Sequence, residues 1–180
     1  MGTKGNVFIK AIYHHTKSWR EQFTHGCLHL HKSAHIIRAP MIGKALAKKI
    51  RDGDRVYGTC TVSPSPGWLN AIAPANPDFV FIDTEHNSLD RTQVGWMCRT
   101  YAALGIVPIV RITSADPHLA SSTIDDGALG IVAPYIETVD QMNGLRGAVK
   151  HRPLKGGRLT DRLSGKRVSK EIDEYIINRN

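Results

Sequence analysis

PDFVFIDTEHNSLD, residues 77–90, decides the fold. Its first part, FVFID at 79–83, is a nearly continuous apolar run that ends on a carboxylate. The rest is polar as far as Asp90, a residue type that caps helices. The reading is a strand, a short polar turn and then a helix over 90–104 that closes at Gly105. A strand with no apolar/polar alternation is expected to be buried on both faces, as in parallel sheets.

The same phrase recurs on either side. VPIVRI at 107–112 leads through Asp116-Pro117 into a helix over 116–126 that stops at Gly127. ALGIVAPYI at 128–136 is a further apolar run, followed by a helix over 139–150. Upstream, VYGTCTV at 56–62 is rich in strand formers, and WLNAIA at 68–73 follows a Ser/Pro turn as a short helix. MIGKALAKKIR at 41–51 sets Ile42, Leu46 and Ile50 at helical spacing with lysines on the other face, and it ends at the turn Asp52-Gly53-Asp54. Strand and helix therefore alternate four times, which is the α/β class: an open doubly wound sheet or a (β/α)8 barrel. The first strand–helix turn, SPSPG at 63–67, lacks the glycine pattern that cradles a dinucleotide phosphate.

Composition narrows the function. With 180 residues and 41% hydrophobic content the chain can bury one core, and no run is long and apolar enough to span a membrane. The net charge of +8 is a local matter, since residues 1–50 hold nine Lys/Arg against Glu21 alone, whereas 51–180 hold fifteen of each sign. With no recognition motif to organise that charge, nucleic acid is not expected as a partner. Cys27, Cys60 and Cys98 stand far apart with no CxxC pair, so a disulfide framework is not implied and a cytoplasmic setting is expected. Residues 1–38, with six histidines including His25, His29 and His31 in no ligand spacing, read as a basic, poorly ordered leader. Residues 146–170, with nine Lys/Arg against Asp161, read as a solvated basic linker or, more sharply, as an anion site using Arg158 or Arg162.

Ligands of such folds meet the carboxyl ends of the strands. Those ends are Asp83-Thr84-Glu85-His86, then Arg111 with Thr113 and Ser114, then Tyr135 with Glu137. Asp83 and His86, three apart, suit a carboxylate orienting an imidazole base, or else a cluster capping the next helix. Arg111 follows four apolar residues and must meet an anion, either a ligand or Asp83 or Glu85 of the neighbouring strand.

Three stretches in order, PDFVFIDTEHNSLD, VPIVRITSADP and DDGALGIVAPYIETVDQM, resemble the HpcH/HpaI aldolase/citrate lyase family, the metal-dependent class II pyruvate aldolases, and their fungal branch around macrophomate synthase. The resemblance covers about residues 39–180 and implies the first four to five units of a (β/α)8 barrel. It also implies carbon–carbon lyase chemistry on a 2-oxo acid, pyruvate or oxaloacetate, with an aldehyde and a divalent metal (Mg, Mn or Co). In its terms His86 is the acid/base residue, Asp83 its orienting partner, Arg111 the group on the keto oxygen, and Glu85 a further substrate contact. KGGRL at 155–159, with Gly156, Gly157 and Arg158, resembles a degraded form of another family segment.

The family's two metal ligands, a Glu and an Asp on later strands, are expected beyond residue 180. Glu137 sits after the fourth strand and is expected to cap a helix or lie on the surface. A full barrel takes around 250 residues, so 56–180 is expected to form a truncated half that cannot close by itself and has weak or no activity. The alternative is a non-catalytic half-barrel module that associates with full-length homologues; family resemblance also points to a homo-oligomer.

Overall fold

A computed structural model describes residues 39–179. The leader assigned to 1–38 lies outside the described residues. Helix α1 (Ala39–Asp52) precedes four strand–helix units: β1 (Gly58–Thr61) with α2 (Pro66–Ile72), β2 (Phe79–Asp83) with α3 (Arg91–Ala103), β3 (Val107–Arg111) with α4 (Pro117–Asp125), and β4 (Gly130–Val132) with α5 (Val139–Lys150). Helices α6 (Gly156–Leu163) and α7 (Lys170–Arg179) follow. The four strands form one parallel sheet in chain order, with Phe81 opposite Cys60 and Ile109, and Asp83 opposite Arg111. This is the α/β architecture of part of a (β/α)8 barrel.

Local chemistry starts each helix where the sequence places it. The side chain of Asp90 accepts from the backbone N–H of Gln93 at 2.8 Å, and the Gln93 side chain accepts from the Asp90 N–H, a reciprocal capping box. Asp116 caps α4 through the N–H of His118, with Pro117 supplying the preset first turn. Thr138 and Gln141 repeat the box on α5. Gly105 (φ 82°) and Gly127 (φ 114°) let the chain turn from α3 and α4 into the next strands through a backbone region that side chains resist.

One face of the sheet is sealed. Val80, Ile82 and Val110 are fully buried against Met97, Cys98 and Tyr101 of α3, with Ile72 and Val94 beside them. At the amino ends of the strands Asp78 accepts from the Tyr57 N–H at 2.8 Å and from Lys49 Nζ at 2.7 Å, which ties α1 beneath the sheet.

Three expectations are corrected. Apolar runs without alternation were expected to be buried on both faces, yet Phe79, Phe81 and Ile109 are only half-buried and Val132 is exposed. These residues point to the concave side, which no described element covers. The strand expected over 128–136 is confined to Gly130–Val132, because Pro134 offers no N–H to a ladder and Tyr135 adopts the left-handed backbone at φ 54°. The stretch 146–170, expected to be a solvated linker, completes α5 and contains α6. Leu159 and Leu163 seat on Gly147 of α5, where an added Cβ would lie 3.1 Å from Leu159 Cδ1. Arg162 is paired with Asp173 at 2.8 Å, and the expected anion site loses that residue.

Candidate functional site

The carboxyl ends of β2 and β3 bring Asp83, Glu85, His86 and Arg111 together. Register does most of this work: Asp83 and Arg111 are opposed residues on adjacent parallel strands and share a face. Arg111 Nε donates to Asp83 Oδ1 at 2.9 Å and its Nη2 donates to Asp83 Oδ2, a side-on fork. The guanidinium also lies over the Phe81 ring, 5.7 Å from its centroid, on the same open face.

Asp83 carries more than the pair. Its Oδ1 accepts from the backbone N–H of Glu85 at 3.0 Å and of His86 at 3.3 Å, so the carboxylate shapes the turn that presents both side chains. Asn87 Nδ2 donates to the Asp83 carbonyl, and Thr84 Oγ1 donates to the Arg111 carbonyl at 2.6 Å, so the two strand ends are stitched together. Asp83 forms the turn and also faces the imidazole, whereas Asp90 caps α3.

Arg111 beside Asp83 holds its carboxyl well below the usual carboxylate range, burial opposes this, and the two N–H donors assist. A carboxyl whose folded value is depressed contributes stability that is complete above its unfolded value and vanishes as pH falls through the folded one. The urea midpoint is therefore expected to decline below about pH 4, the ordinary aspartate value. Asp83→Asn should flatten that decline, while an acid limb identical to that of the parent chain would remove Asp83 as its source.

His86 is exposed, with Nδ1 3.2 Å from Asp83 Oδ2 and also beside Arg111 Nη2. These neighbours ask for opposite states. An Nδ1 that carries the hydrogen donates to Asp83 and leaves a lone pair on Nε2. A bare Nδ1 accepts from Arg111 and leaves Nε2 carrying the hydrogen as a donor. The outer ring nitrogen is thus an acceptor or a donor according to which neighbour Nδ1 engages.

Glu85 is the least satisfied member. Its Oε2 is buried without an aligned hydrogen bond, although Arg111 Nε stands at an ion-pair distance of 3.2 Å. Glu85, as an acceptor for its proton and as a negative charge, raises the Tyr135 phenol above its ordinary value. Tyr135 is 73% exposed and adopts the left-handed backbone three residues beyond β4. Sequence reading named Tyr135 as a strand end but assigned it no site role. Cys60 on β1 lies within the influence of Asp83 and Arg111, and burial followed by the Asp83 charge raises its thiol. Glu137 is exposed ahead of α5, where Thr138 provides the cap.

Asp83, Glu85 and His86 offer donor atoms within 4.8 Å of one another, a possible acidic metal-binding cluster. The wiring limits what it can hold. Both Asp83 oxygens already accept from Arg111, so the donor uncommitted to a hydrogen bond is Oε2 of Glu85, with His86 able to add a ring nitrogen. A divalent ion that prefers about six oxygen ligands is not satisfied by that set alone. The described residues do not constitute a complete metal centre.

No family model matches the chain. A hydroxypyruvate/pyruvate aldolase from Rhizorhabdus wittichii is 36% identical over 90 residues, which is 49% of this chain and 36% of the relative. An HpcH/HpaI aldolase structure from Desulfitobacterium hafniense superposes with TM-score 0.58 at 23% identity, over 74% of this chain and 52% of the other. Macrophomate synthase superposes with TM-score 0.54 at 24% identity, over 87% and 51%. These likenesses bear out the resemblance to HpcH/HpaI aldolases and the partial-barrel fold. The chain spans about half or less of the length of each protein.

Proposed function

We propose that this chain, similar to part of the pyruvate aldolases, carries the proton-transfer and enolate-holding part of a carbon–carbon lyase site for 2-oxo acids. The observation that supports this most is the Arg111 guanidinium, fixed by Asp83 beside an exposed imidazole at the carboxyl ends of adjacent parallel strands. In the cleavage direction His86 takes the proton from the hydroxyl of a 4-hydroxy-2-oxo acid, and the carbon–carbon bond breaks to release the aldehyde. The electron pair moves onto the pyruvate fragment as an enolate. Charge then gathers on the former keto oxygen, where Arg111 meets it; a fixed cation is worth most where charge develops. Asp83 positions both groups, and Glu85 lines the same rim.

Pyruvate or oxaloacetate and an aldehyde are the proposed reactants. A divalent cation (magnesium, manganese or cobalt) would take at most Glu85 and His86 from this chain, so its other ligands come from outside the described residues. The free thiols of Cys60 and Cys98 support a cytoplasmic setting.

Deuterium exchange at the pyruvate methyl group, followed by NMR in heavy water, reports enolate formation without an aldehyde. Slow exchange is expected with added manganese, and loss to the buffer rate in His86→Ala and Arg111→Ala. Arg111→Ala should also lose pyruvate binding by calorimetry, whereas His86→Ala should retain it. A folded chain that neither binds pyruvate nor exchanges its protons would overturn the reading.

A further inference from the structure

Helix α6 is held to the molecule by little. None of its residues is fully buried, and its apolar side chains are Leu159 and Leu163, which seat on Gly147 of α5. Leu163 is itself 37% exposed. An element with so small an apolar anchor belongs to the low end of local stability. His151 stands four residues beyond Gly147, one turn along the same face of α5, and closes that helix by donating its backbone N–H to the Gly147 carbonyl at 3.2 Å. The imidazole is therefore next to the anchor of α6. Its Nδ1 is buried and has no hydrogen-bond partner among the described residues.

We propose that His151 is an acid-sensitive latch, in which a proton taken at Nδ1 loosens α6 from α5 while the sheet and the helices before it stay folded. The neutral ring carries its hydrogen on Nε2 and leaves a lone pair on the buried Nδ1. A second proton has to sit on Nδ1, where it finds no acceptor and brings a charge out of water. The neighbours add to that cost. Arg146 of α5 and Arg162 of α6 both repel a positive imidazole, and Asp173 of α7 is engaged by Arg162 at 2.8 Å. Asp125 of α4 is paired with Arg152 instead. Burial first, then the two guanidinium groups, hold the imidazole below its ordinary value. Once α6 swings away, water reaches the ring and the ordinary value returns. A histidine depressed in the docked state contributes docking strength that is complete above the ordinary value, about pH 6.5, and declines as pH falls below it. The inference rests on the packing of α5 against α6 and not on the aldolase reading.

Amide hydrogen exchange of the full chain, read by mass spectrometry with each peptide referred to its intrinsic rate at that pH, tests this. Protection over 156–163 is expected to fall by at least about threefold between about pH 7.5 and pH 5.5, while protection of α3 holds. His151→Gln keeps a polar side chain that does not titrate, and its profile over 156–163 should be level. Arg146→Gln removes an exposed like charge, so the docked ring accepts the proton more readily and the fall should become shallower. Should His151→Gln fail to fold, Arg146→Gln decides alone. Level or rising protection in the parent chain, an equal fall in His151→Gln, an unchanged profile in Arg146→Gln, or a fall shared by α3 would each overturn the proposal.

Discussion

Asp83→Ala is expected to cost the chain about 2–3 kcal/mol in urea unfolding, whereas Glu85→Gln should cost less than about 1 kcal/mol. Removing Asp83 strands Arg111, whose side chain is 25% exposed, and also deletes the acceptor that holds the N–H groups of Glu85 and His86. A fully buried pair would lose about 3–5 kcal/mol, and the partial exposure of Arg111 lets water recover some of that. Glu85 touches the same guanidinium, but its Oε2 lacks an aligned bond, so neutralising it removes little. Arg111→Met on the Asp83→Ala background separates the causes. Stability should return in part, because the stranded charge has gone, and what stays missing is the turn that Asp83 built. If Asp83→Ala and Glu85→Gln prove equally costly, the two carboxylates share the guanidinium evenly and the geometry described for Asp83 does not govern the site.

Much of this arrangement is legible in the letters, and the illegible parts share a cause. FVFID at 79–83 matches β2 at both ends, and Asp90 and Asp116 mark α3 and α4, because an apolar run and a cap are local signals. Asp83, His86 and Arg111 could be nominated from their places at strand exits. What escaped is non-local. Helix α6 looks like a basic linker because its composition is dominated by solvated charge, and its reason to fold is Leu159 and Leu163 meeting a glycine on another helix. The Tyr135 contact escaped because it depends on a backbone angle of φ 54° at the end of a strand that itself stops early. Apolar strands identify a face that needs covering, yet they are silent about whether the described chain covers it.

Tyr101→Ala is expected to cost about 3–5 kcal/mol and thereby to disturb the site without touching it. Tyr101 is 1% exposed and packs in the cluster of Val80, Ile82, Met97 and Val110, so truncation opens a cavity directly behind β2 and β3, the strands that carry Asp83 and Arg111. Burial raises its phenol above its ordinary value, opposed by the side chain of Thr61, itself fully buried at the end of β1. Tyr101→Phe removes the hydroxyl alone and should cost no more than about 1 kcal/mol, the usual worth of one hydrogen bond. The difference between the two variants therefore measures packing behind the sheet, and urea midpoints supply both. A Tyr101→Phe loss as large as that of Tyr101→Ala would mean that the link from α3 to β1, rather than the filled volume, holds the sheet in the register that sets Asp83 against Arg111.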